Sequence, residues 1–106
     1  MLPSRESIMD SVCRHYEVSR QEIGGVPHDV TKLVTEARHV YAWFCRKIRG
    51  DVYSAIQRDI GLNTHGPVIY GIKEMQERYR TNTGCATRER VDANLKELGY
   101  EPAVLH

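Results

Sequence analysis

A chain of 106 residues, 41% of them hydrophobic, holds enough apolar material for one modest core, so a single domain spanning residues 1–106 is expected. Its formal net charge of +1 excludes a globally basic nucleic-acid binder, and any DNA-binding face has to come from local clustering of cations. Three cysteines (Cys13, Cys45 and Cys85) without a CxxC pair argue against a disulfide framework, and no apolar run or signal-peptide layout argues for membrane insertion or export, so a cytoplasmic location is expected.

In chain order, Ser4 is placed to cap a first helix whose Ile8, Val12 and Tyr16 recur four apart, with Met9 and Cys13 beside them and an end near Glu17. Ser19 and Glu22 form a Ser-x-x-Glu capping box over one short helix, which Gly24, Gly25 and Pro27 stop. From about Asp29 a long central helix follows, its apolar period carried by Val30, Leu33, Val34, Ala37, Val40, Tyr41, Phe44, Cys45 and Ile48 and closed by Gly50. Val52, Tyr53, Ala55, Ile56 and Ile60 make a short amphipathic helix that Gly61 ends. Thr64 is the expected cap of the next helix, with Pro67 in its first turn and Val68, Ile69, Ile72, Met75 and Tyr79 along it. After the loop Thr81-Asn82-Thr83-Gly84, Thr87 is the expected cap of a last helix with Val91, Leu95 and Leu98, ended by Gly99. No strand signal is present, so the class is all-α, with about six helices.

The order from Ala37 to Gly71, a long helix, a short helix, an Ile-Gly-Leu-Asn-Thr-His turn and another helix, reads as a helix-turn-helix. Such a unit offers the start of its second helix to base edges, here Thr64, His65 and Gly66. At ~100° per residue, Arg38, Arg46 and Arg49 fall in one stripe beside the apolar face of the central helix, where they either track phosphates or stay solvated. His65 is placed for a base edge or simply near the positive end of the helix dipole, and Thr64 is a helix cap first and a base or phosphate contact second. Because Gly66 and Pro67 carry no hydrogen-bonding side chain, base reading falls to Asn63, His65 and Tyr70. Trp43 lies opposite the apolar stripe, either half-covered by a terminal helix or open to a partner. The run Lys73, Arg78, Arg80, Arg88 and Arg90, interleaved with Glu74, Glu77 and Glu89, reads as a solvated mixed-charge face. Cys13 and His15 form neither a dyad nor a metal spacing, so no enzyme, cofactor or metal is expected.

The chain resembles the C-terminal DNA-binding domain of the bacterial replication initiator DnaA, of the TrpR-like helix-turn-helix group. The resemblance rests on Tyr16-x-Val18-Ser19 followed by Ile23, on Ala37-Arg38 with Arg46 eight residues on, and on Gly61 through Tyr70, with no gap between Arg38 and His65. It implies phosphate contacts at Arg38 and Arg46 and a base contact at His65. Where the family has Gly-Gly-Arg-Asp-His-Thr-Thr-Val-Leu-His, only His65 and Val68 stand in register within the reading turn, Asn63, Thr64, Gly66 and Pro67 replacing the polar set. Where the family has a basic loop with a minor-groove arginine, this chain has Gly24-Gly25-Val26-Pro27-His28-Asp29-Val30. It also lacks GxxxxGK[ST], so an initiator in its own right is not expected.

These readings converge on double-stranded DNA binding by a small transcription or replication regulator, nucleoid-associated, with a site preference different from that of DnaA. Arg38, Arg46, Arg49, Asn63, Thr64, His65 and Tyr70 are the candidate contacts. The alternative is a protein-interaction module on the same scaffold that has lost DNA recognition. A continuous positive face over Arg38, Arg46 and the turn favours DNA, whereas an apolar patch around Trp43 and Tyr70 favours a protein partner.

Overall fold

A computed structural model describes residues 2–24, 32–62, 64–81 and 85–101. Among them are six α-helices and no strand, as the periodicity predicts: α1 Arg5–Tyr16, α2 Arg20–Gly24, α3 Lys32–Phe44, α4 Tyr53–Asp59, α5 Gly66–Thr81 and α6 Cys85–Glu97. The central helix does not stop at Phe44 but runs on through a π turn, Cys45–Arg49. The expected beginning of that helix near Asp29 and Val30, the loop around Pro27, and Asn63 lie outside the described residues.

Local caps define several of the ends. Ser4 is extended and its Oγ accepts from the Ser7 amide at 3.0 Å, which starts α1. Beyond Tyr16 the chain turns at Glu17, a left-handed residue at φ 54°, so that the Glu17 and Val18 amides reach back to the carbonyls of Arg14 and Cys13. The capping box at α2 is complete: the Glu22 amide donates to Ser19 Oγ at 3.0 Å and the Ser19 amide donates to Glu22 Oε1 at 3.0 Å. Five residues of helix cannot hold themselves together, so these contacts matter. Ser19→Ala should cost about 1 kcal/mol, read as a lower midpoint in urea denaturation, and an unchanged midpoint would mean that tertiary packing alone holds α2.

Two expected caps are displaced. The His65 carbonyl accepts the first helical bond of α5, from the Ile69 amide at 3.0 Å, so His65 and not Thr64 holds the cap position. With Thr64 as cap, the third helical residue would be Pro67, which has no amide hydrogen to donate. Thr87 lies within α6, and its hydroxyl donates to Glu36 Oε1 at 2.9 Å, tying α6 to α3.

α3 is the centre of the molecule, packed by α1, α2 and α5, while α6 lies against α1. Every residue from Val40 through Cys45 is buried, the pattern of a helix covered on all sides. This corrects the reading of Trp43 as a residue facing away from the core. It is 1% exposed, its ring 5.5 Å from that of Tyr79 on α5 and 5.9 Å from that of Phe44. On the far side, Val91 and Leu95 complete the core and the Ser11 hydroxyl donates to Asn94 Oδ1 at 2.7 Å in a fully buried contact between α1 and α6.

Candidate nucleic-acid interface

The helix-turn-helix consists of α4, the turn through Ile60–His65, and α5. Ile56 and Ile60 anchor the first helix in the core, and Val68 and Ile72 anchor the second. Gly61 makes the reversal at φ 69°, and the Gly61 and Leu62 amides bond back to the carbonyls of Arg58 and Gln57. With Val68 pulled inward, Thr64, His65, Gly66 and Pro67 are left exposed at the start of α5. Backbone donors and the positive end of the helix dipole gather there, which suits an anionic ligand.

The three arginines expected in one stripe have three different fates. Arg38 is only 8% exposed; its Nε donates to the Ile23 carbonyl at 2.6 Å and its Nη2 to the Glu22 carbonyl at 2.7 Å. It closes the C-terminal end of α2, and burial holds its guanidinium below its ordinary pKa. The exposed position read for Arg38 from helical spacing is therefore corrected. Arg49 donates from Nη1 to the Pro3 carbonyl at 2.7 Å and from Nε to Asp51 Oδ2 at 2.9 Å, fastening the start of the chain to the end of the π turn. Arg46 is partly exposed, with Nη1 on the Asp51 carbonyl at 3.0 Å and its Cζ 4.5 Å from the centre of the Tyr53 ring. The stripe fails because the ~100° spacing of an ideal helix does not survive the π turn, and because acceptors from α2 and the N-terminal segment draw two of the arginines in.

The geometry instead joins Arg46 to His65. The Tyr53 ring lies under the Arg46 guanidinium, and its centre is 6.4 Å from that of the His65 imidazole. In the sequence Tyr53 reads only as an apolar position of the short helix and not as a candidate contact. It stands seven positions beyond Arg46, but the helix ends between them at Gly50, φ 72°, so the helical period does not place the two side by side. Tyr70, 62% exposed, sits elsewhere, edge-on to the His39 ring at 6.2 Å. The two line a cleft of about 430 Å³ between α3 and α5, together with Lys32, Glu74 and Arg78. His39 is held below the usual histidine pKa, first by burial and then by Arg78. Gly71 allows this close approach, since a Cβ there would come within 2.4 Å of His39 Cδ2. With Trp43 in the core, no apolar patch joins Trp43 to Tyr70.

Residues 5–75, about two-thirds of the chain, match the family described as the bacterial dnaA protein helix-turn-helix. The chain belongs to that family. The matched segment covers α1 through most of α5 and thus every residue on which the resemblance to DnaA rests. No curated protein and no solved structure matches the chain. The DnaA-type helix-turn-helix is a DNA-binding fold and not an enzymatic one. No helix among the described residues is long and apolar enough to cross a membrane, and none of their His, Cys, Asp and Glu side chains group so as to hold a metal ion.

Proposed function

We propose that this DnaA-type domain binds double-stranded DNA as a small transcription or replication regulator at the nucleoid, with a site preference different from that of DnaA. Family membership supports DNA as the ligand, and the observation that carries the reading is the exposed start of α5 with His65 beside the Arg46–Tyr53 pair. The helix beginning at Gly66 would enter the major groove, His65 meeting base edges and Arg46 the backbone. Asn63 and Thr64, which precede His65 in the sequence, are further candidate contacts, whereas Tyr70 sits elsewhere and Arg38 and Arg49 are engaged by internal partners, so these three contribute less. The internal partners of Arg38 and Arg49 and the net charge of +1 also support the rival reading, a protein-interaction module that keeps the scaffold without DNA recognition.

Selection from a random duplex pool tests both readings. Enrichment of a site is the expected result, with a shallow salt dependence, since each phosphate contact adds ~0.9 to the log-log slope and few cations are available. The selected site should not be the DnaA box: each lost base contact removes ~1–3 kcal/mol of discrimination, and the flanking readers of the family are replaced. A tenfold preference for the DnaA box over a scrambled duplex would overturn the different-site reading. No duplex binding even at low salt would favour the protein-interaction module.

A further inference from the structure

We infer that Tyr53 is a positioning residue for DNA binding, which stacks the backbone-contacting Arg46 and sets it beside the base-reading His65; the inference rests on the DNA reading above. Three elements meet at this ring. Arg46 arrives from the π turn that ends the central helix, Tyr53 is the first residue of α4, and His65 is the cap residue of α5. A flexible arginine is fixed here by two contacts, the Asp51 carbonyl on Nη1 at 3.0 Å and the Tyr53 ring 4.5 Å from Cζ. Of its five N–H donors, only Nη1 meets an acceptor among the described residues, which leaves hydrogen-bonding capacity for an anion.

The ring is suited to this task in a way that an aliphatic side chain is not. Its quadrupole attracts the guanidinium, and its plane restricts the orientations that Arg46 adopts before DNA arrives, so less rotamer freedom is lost on binding. Tyr53 itself is half-buried against the core, with Val52 before it in an extended conformation, so the ring is held by packing and not by the ligand. The same ring lies beside the His65 imidazole. The stacked Arg46 is thereby held on the same side of the turn as the base-reading His65.

The test is a double-mutant cycle on the whole chain, with affinity for a mixed-sequence duplex measured at low salt and thermal melts run in parallel. Tyr53→Leu should weaken binding roughly tenfold and flatten the salt slope by ~0.9, the signature of one lost phosphate contact, while Tyr53→Phe should bring both back most of the way. In an Arg46→Ala background, Tyr53→Leu should have little further effect. If melts show the leucine variant poorly folded, Tyr53→Met replaces it in the cycle. Wild type that binds while Tyr53→Leu binds equally well, or losses that simply add in the double variant, would overturn the positioning role alone. Wild type that binds no duplex would overturn the DNA reading and this inference with it.

Discussion

Trp43→Ala is expected to unfold most of the chain under conditions where the wild type is folded. The side chain is 1% exposed near the C-terminal end of α3 and packs on Tyr79 and Phe44, so truncation removes a large apolar surface and leaves a cavity that a helix covered on all sides cannot close. Phe or Trp to Ala in such a site costs ~3–5 kcal/mol, a large share of the ~5–15 kcal/mol that holds a domain of this size together. Circular dichroism during urea denaturation reads the loss directly. Trp43→Phe should be much milder, because the indole N–H has no hydrogen-bond partner among the described residues and its removal relieves a buried unsatisfied donor. A loss below ~1 kcal/mol for Trp43→Ala would mean that the indole is not a core element and would reopen the partner-surface reading.

Arg38→Ala should be the second most damaging change. Two carbonyls at the end of α2, those of Glu22 and Ile23, receive this guanidinium in a site that is 8% exposed. Its removal strands the buried Ile23 carbonyl and the part-buried Glu22 carbonyl and loosens α2 against α3, for an expected cost of about 2–3 kcal/mol. At ~4–8 °C per kcal/mol for a domain of about this length, the melting temperature should fall by more than ~8 °C. Arg38→Lys keeps the charge but offers no planar fork to span adjacent carbonyls, so it should recover only part of the loss. A melt within ~0.5 kcal/mol of wild type, together with weaker binding to every duplex, would return Arg38 to the role of an exposed phosphate contact.

Features governed by neighbours within about five residues were legible in the sequence. Ser4, the Ser19 and Glu22 box, and the reversals at Gly50, Gly61 and Gly99 act through bonds that close one helical turn, so residue type and spacing suffice to place them. The all-α class follows from the same periodicity, and the gapless register from Arg38 to His65 carried the family. The α5 cap falls at His65, one residue past Thr64, because a cap at Thr64 needs an amide hydrogen at Pro67 that proline lacks.

What the sequence determined by itself was therefore the set of helices, most of their ends and the presence of a DnaA-type helix-turn-helix. Tertiary structure decided which side chains remained available to act. An apolar period shows which face of a helix is buried but not how many neighbours cover it, so Trp43 and Arg38 went inside only when α1, α2 and α5 closed around α3. The partners of Arg38 lie 15 and 16 residues away, the Thr87 to Glu36 bond spans 51, and the Arg46 to Tyr53 contact crosses a π turn. Contacts of that reach depend on how helices meet, and no local spacing rule encodes the meeting.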